Sequence, residues 1–160
     1  LPLLRHLAGN MAQVDTLWKT LIDSHPVPKR AVIVEVGVAG GQEAMAAAES
    51  GMRILAVEPN PTFIQSPILV AKSRQLPNLE LIHAAAGPKS GTVNFKFGGT
   101  GGHLAVGGGA GTNAGPMKTL DCIFEARGVS HIYMIKVRQN RRALQVRFLS
   151  LMHLPLNYTD

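Results

Sequence analysis

At 160 residues, 46% hydrophobic and 16% charged, the chain has the composition of one globular domain with a single core, which excludes intrinsic disorder. No stretch reaches the roughly 18–20 apolar residues of a membrane span, and Arg5 and His6 make residues 1–7 a poor signal peptide. The formal charge of +6 is uneven: residues 136–160 carry Lys136, Arg138, Arg141, Arg142 and Arg147 against Asp160 alone, a basic tail on a near-neutral domain rather than a nucleic-acid surface.

In chain order, Leu4, Leu7, Met11, Val14, Trp18 and Leu21 fall on one helix face closed by Pro26 and Pro28. Residues 1–30 are therefore expected to form a helix packed on the edge of the domain. The start at Leu1 rather than Met suggests a processed form or a fragment. A β-branched first strand is predicted over about 31–36, a helix over 42–50 ended by Gly51, and a second strand over about 53–58. The Pro59-Asn60-Pro61 run bars an immediate helix; one helix then covers 62–75, interrupted or opened at Pro67, and a third strand covers 79–85. Strands alternating with helices at this spacing imply a parallel sheet.

The texture then changes. Thr92 to Phe97 alternates as a half-exposed strand, expected in a hairpin added to the main sheet. Residues 98–115 hold nine glycines and no Asp, Glu, Lys or Arg, which reads as a mobile loop, or as a lid carrying His103 inward. Thr119 or Asp121 caps a short helix ended by Gly128, and Ile132 to Val137 is a buried fourth strand with Lys136 near its end. After Val137 the basic run 138–142 breaks the pattern, and the segment 138–160 is set apart as an atypical tail. An unpaired tail would leave the fourth strand as a sheet edge. One cysteine, Cys122, excludes an internal disulfide, and the lack of paired Cys/His spacing argues against zinc.

The chemistry concentrates where the first strand meets its turn. Strand, glycine turn, helix, strand and terminal acid is the layout of a nucleoside-binding half-sheet. The dinucleotide fingerprint is not met, since Ala39 and Gln42 stand where it needs glycine, and neither a phosphate-cradling Walker loop nor a nucleophile elbow occurs. The turn does fit an acid followed by two spaced glycines, in Glu35, Gly37 and Gly41. Glu35 reaches a ligand amine or faces the next helix's N-terminus; Glu58 takes ribose hydroxyls or is a solvated strand end. S-adenosylmethionine, a cation with ribose hydroxyls and no phosphate, suits acids at both positions, each charge-assisted hydrogen bond supplying on the order of 1.5–3 kcal/mol.

Val34-Glu35-Val36-Gly37 through Gly41, Ala56 through Pro61, Ala84-Ala85-Ala86-Gly87, Thr119-Leu120-Asp121 and Ile135-Lys136-Val137 occur in the order seen in FkbM-type methyltransferases, which the chain resembles over about residues 31–137. The resemblance implies an α/β fold with the mostly parallel, Rossmann-like sheet of class I methyltransferases. It implies S-adenosylmethionine as cofactor and O-methylation of a small molecule or glycan. Glu35, Gly37 and Gly41 would hold the methionine end, Glu58 with Asn60 the ribose, and residues around Ala85 the adenine. His103 or Asp121 would serve if a base is needed; no metal is implied. His83 and His131 read as strand and loop residues, and Lys136 as a residue at the cofactor mouth or one snorkelling from a strand end.

The resemblance breaks after Lys136. In the family that strand usually continues into Asp-x-Glu-Gly; here Arg138 stands in the acid's place, followed by Gln139, Asn140, Arg141 and Arg142. Arg138 near a sulfonium would cost roughly 1–4 kcal/mol at about 4 Å. The reading is therefore a methyltransferase sheet truncated after its fourth main strand, with a non-catalytic remnant that binds a nucleoside or a partner as the alternative.

Overall fold

The computed structural model describes residues 32–98, 101–104, 113–139 and 143–148, with Thr20 as a single helical position. The N-terminal helix expected over residues 1–30 otherwise lies outside the described residues. Strands β1 (Val32–Val36), β2 (Arg53–Glu58) and β3 (Leu79–His83) pair in parallel, and β1 also pairs in parallel with the later strand β8 (Ile132–Gln139). The runs of β1 and β2 are mostly apolar on both faces because both faces are covered there. Ile33, Ile54 and Met134 join one buried cluster; Val32, Val34, Leu55 and Val57 join the other.

The helices form for local reasons. In α1 (Gln42–Glu49), Ala44, Ala47 and Ala48 bury one stripe against the sheet, where small side chains permit close approach. Its last turn and the residue that leads into β2 are held from outside: the Asn78 amide donates to Ala48 O at 2.8 Å and to Met52 O, just past the helix, at 2.6 Å. The helical stretch expected over 62–75, interrupted or opened at Pro67, is two helices, α2 (Pro61–Ile64) and α3 (Pro67–Gln75), the second opening at Pro67 as expected. Each begins with proline at its first position, where no N–H is required, so Pro61 opens a helix rather than barring one. Asn60 and Ser66 cap them through side-chain oxygens. On the opposite face, α4 (Leu120–Ala126) is capped by Thr119 and followed by Gly128 at φ +59°, and it buries Ile123 and Phe124.

The polar ends of these elements fix their direction. Arg53, at the start of β2, pairs with Glu80 at 2.8 Å and donates to Arg127 O at 2.9 Å; Arg127 also pairs with Glu80. The C-terminal end of α4 therefore sits at the amino ends of the strands, and its first turn, with Asp121, at their carboxyl ends.

Two expectations change. The sheet does not end at a fourth main strand: β8 runs on through Gln139 and pairs antiparallel with β9 (Ala143–Phe148), giving the order β3-β2-β1-β8-β9 among the described residues. The strand bearing Val137 is thus interior, because backbone pairing is indifferent to the basic side chains that break the sequence pattern. The remainder of the tail lies outside the described residues.

Likewise, β5 (Gly91–Gly98) joins a separate sheet with β4 (Ala85–Ala86), β6 (Gly101–Leu104) and β7 (Asn113–Lys118), in the order β4-β7-β5-β6. Parts of the glycine-rich segment are therefore ladder strands: glycine brings no side chain but keeps its backbone donor and acceptor. Residues 99–100 and 105–112, where the loop expectation otherwise falls, lie outside the described residues. Among the described residues no helix is long and apolar enough to cross a membrane.

Candidate functional site

Two turns at the carboxyl edge of the sheet are joined by one side chain. Glu58, the last residue of β2 and 6% exposed, accepts from Ala39 N at 3.0 Å and from Asn60 N at 2.9 Å. One carboxylate thereby holds the glycine turn after β1 and the turn after β2. Each of its oxygens keeps acceptor capacity beyond the N–H it already receives. Glu58 is therefore no solvated strand end. Its neighbour Asn60 spends its side-chain oxygen on Thr62 N at 3.0 Å, as the cap of α2.

The turn itself is held in an unusual conformation. Gly37 and Gly41 have φ of +83° and +75°, and Ala39, at +50°, is the only non-glycine residue with positive φ among the described residues. Such a residue persists only where its surroundings over-determine it, and here the Glu58 carboxylate takes its N–H. At Gly41 the surrounding space belongs to the fold. A Cβ on Gly41 would lie 2.6 Å from Leu69 Cδ1, so the space is filled by α3 rather than left open to a ligand. Gly41→Ala is accordingly expected to destabilise the fold by about 2–4 kcal/mol, combining left-handed strain with overpacking. Urea denaturation would measure it, and adding Leu69→Ala to Gly41→Ala should cost less than the two separate losses together.

Beside the turn lies a buried ion cluster. Lys136, 0% exposed, contacts Glu35 Oε1 at 2.9 Å and Glu43 Oε1 at 2.7 Å; Glu35 is 1% exposed and Glu43 13%. A register slip in β8 explains how a strand so apolar delivers an ammonium here. Val32 pairs with Ile132 but Ile33 with Met134, so Tyr133 is an extra residue, and Lys136 then stands opposite Glu35. Glu43 comes from the first turn of α1, where a negative charge also suits the helix dipole. Burial pushes the Glu35 carboxyl up to about 7; Lys136 opposes that shift and Glu43 adds to it. Among the described residues Glu35 Oε2 has no hydrogen-bond partner.

Lys136 therefore neither lines an open mouth nor snorkels, and Glu35 faces both the lysine and Glu43 in the first turn of α1. Sequence reasoning missed Glu43 altogether. The signal was present: a cation set between apolar neighbours, Ile135 and Val137, in a buried stretch of strand requires counter-charges.

The remaining candidates are dispersed. Ala84 is core, and Ala85 is buried in β4, paired with Met117, just past the end of β3. Asp121 is exposed on the first turn of α4. Next to it, the exposed Cys122 thiol is lowered by hydrogen bonds involving Thr119 and then Ser90. His103 stands opposite Lys96 on β6. His83, exposed at the end of β3, lies 3.1 Å from Pro59 O, and the exposed His131 contacts Ser130. Among the described residues no group of three His, Cys, Asp or Glu is placed to hold a metal ion.

The structure thus gathers Glu35, Gly37, Gly41, Glu58 and Asn60 at the carboxyl ends of β1 and β2, with Glu43 and Lys136 added. The order β3-β2-β1-β8 places the reversal of strand order between β1 and β8, and open parallel sheets bind ligands at that switch point. Comparisons of the chain with family models, curated proteins and solved structures found no match.

Proposed function

We propose that the carboxyl edge of β1 and β2 binds the nucleoside of S-adenosylmethionine, and that the chain acts as a methyltransferase on a hydroxyl of a small molecule or glycan. The observation that carries this reading is Glu58: a buried strand-end carboxylate fixed against a positive-φ glycine turn, with acceptor capacity left for ribose hydroxyls. The methionine end fits differently from the family pattern. Lys136 occupies Glu35 Oε1, and Glu43 is the member of the cluster that reaches solvent, so Glu43 is the carboxylate offered to the ligand's ammonium. Bound, the cofactor supplies an electrophilic methyl group. The chain's part is positioning, since an in-line displacement gains much of its rate from geometry. Asp121, at the carboxyl edge, is the better-placed base; His103 belongs to the second sheet.

The test is calorimetric titration with S-adenosylhomocysteine. Micromolar binding is expected for the native chain and loss of detectable binding for Glu58→Ala, with circular dichroism confirming that the variant folds. A folded native chain that does not bind would overturn the reading.

The hairpin of β8 and β9 favours a second reading, a nucleoside-binding domain without turnover. It continues β8 directly into an antiparallel neighbour where the family pattern places an acid. Binding without methyl transfer to any acceptor tried would select it.

A further inference from the structure

Residues 85–118 leave the main sheet at the carboxyl end of β3, contribute the strands of the second sheet, and return at Thr119 to α4, whose first turn stands at the same carboxyl edge. Ser90 Oγ donates to Cys122 Sγ at 3.6 Å, which sets the turn between β4 and β5 against that first turn. The second sheet therefore grows out of the edge that holds the candidate site. Its two faces differ. Val93, Phe95 and Met117 share one face, with Phe95 buried and the other two half-buried; Thr92, Lys96, Pro116 and Lys118 share the other and are exposed. We infer that this outer face binds an acidic polysaccharide, a chain of uronic acids, and that a hydroxyl of the bound chain is the methyl acceptor. The inference rests on the methyltransferase reading above and names its substrate class.

The charge of the face is one-sided. Residues 84–118 include Lys89, Lys96 and Lys118 and no Asp or Glu. All three lysines are exposed, and among the described residues none of them is in an ion pair, whereas Arg53, Arg127 and Lys72 are matched by Glu80 and Glu49. Register sets the spacing. Lys118 lies two positions past Pro116, which pairs with Thr92, and Lys96 lies four positions from Thr92 in the other direction. The two cations are thus six positions apart, roughly 20 Å along the strands. Lys89 adds to the Lys118 end, since its turn begins at Gly87, whose N–H donates to Lys118 O at 3.0 Å. The row starts beside Thr119 and Asp121 and runs away from the carboxyl edge, so a ligand that neutralises both ends is a chain with one unit left at that edge. Thr92 and Asn94 lie between the ends and can hydrogen-bond its hydroxyls. Asp121 takes the proton that the acceptor hydroxyl loses as its oxygen gains the methyl group and the cofactor leaves as the thioether.

The same face selects among polyanions. Among the described residues it carries no aromatic side chain on which bases could stack, Phe95 being buried on the other side, which disfavours single-stranded nucleic acid. The exposed large hydrophobic residue, Ile68, lies on α3, so nothing apolar on this face suits a membrane. Phosphate exploits helix N-termini and nests of free backbone N–H groups, and the ladder of this sheet offers neither. Lysines spaced along a strand are single-charge contacts, matched to single-charge carboxylates spaced along a sugar chain.

The experiment is titration of the full chain with oligogalacturonate in about 0.1 M salt, read by calorimetry and amide nuclear magnetic resonance, with S-adenosylhomocysteine titrated separately. Binding is expected, with shifts along β5 and β7, and should be lost for the methyl-esterified oligomer, which has no charge. Lys96→Gln and Lys118→Gln should each weaken it about 2–5-fold, the worth of an exposed ion pair. Their effects should multiply in the double variant, because the lysines stand further apart than the screening length of about 10 Å. The kcat/KM for methyl transfer to the oligomer should fall by the same factors. Lys72→Gln, on α3 and outside the face, should change neither. Equal binding of the esterified oligomer, unchanged binding in the double variant, or tighter binding of a single-stranded oligonucleotide of equal charge would overturn the inference. Binding without transfer would overturn the acceptor role. A chain that binds S-adenosylhomocysteine but not the oligomer would overturn the inference and leave the nucleoside site standing. Lysine-dependent binding of the oligomer with no binding of S-adenosylhomocysteine would overturn the methyltransferase reading, and the acceptor role with it.

Discussion

Replacing Lys136 with methionine is expected to destabilise the chain by about 3–5 kcal/mol near pH 8, the cost of leaving a buried charge without its partner. The lysine is fully buried and is the counter-charge to both Glu35 and Glu43. Methionine has similar length and no charge, so lost volume is a minor part of the effect. The loss should shrink towards pH 5, where Glu35 takes up a proton and only Glu43, the more exposed acid, remains charged. Adding Glu35→Gln to Lys136→Met should likewise recover stability at pH 8. Urea denaturation at both pH values measures all three chains. The exposed pair Lys72–Glu49 provides the contrast: at 40% and 49% side-chain exposure, Lys72→Ala should cost less than about 1 kcal/mol. A Lys136→Met cost as small as that would mean that the cluster is not what ties β8 to β1 and α1.

What was legible in the sequence followed from local rules. The runs at 32–36 and 53–58 are mostly apolar because both faces of the sheet are covered there, and that shows without any partner in view. The glycine turn and the Thr119 cap are equally local. What was not legible depended on pairing. Lys136 was visible as a cation near a strand end, but the extra residue at Tyr133 decides its face, and strict alternation has no means of registering such a slip. Glu43 reads as one more polar residue at the start of an alanine helix until β8 brings an ammonium to it. The strand Gly101–Leu104 carries almost no side-chain pattern, whereas Ala143–Phe148 does alternate, Leu144, Val146 and Phe148 with Gln145 and Arg147, a short period that was overlooked between the basic run before it and the patternless residues after it. The candidate site divides in the same way. Glu58 and the turn could be read from spacing, whereas the ion cluster forms only when β8, with Lys136 101 positions after Glu35, comes to lie against the neighbouring β1 and α1.

That cluster should also leave its mark on how stability varies with pH. Glu35 has its carboxyl raised from 4.5 to about 7 in the folded chain, so between those values the native state binds more protons than the unfolded state. The unfolding free energy therefore falls as pH rises across that window, by up to about 3 kcal/mol, and levels off above it. Most native carboxylates act in the opposite direction, because partners lower them and their stabilisation is lost on acidification. The measurement that isolates Glu35 is thus a difference: urea denaturation of the native chain and Glu35→Gln from pH 4 to 9. Glutamine keeps an acceptor for Lys136 and a donor toward Glu43 but has no proton to lose. The stability of Glu35→Gln relative to the native chain should climb through the window and become constant above about pH 7. A difference that stays flat from pH 4 to 9 would mean that Glu35 is ionised throughout, with Lys136 alone balancing it and Glu43 turned to solvent.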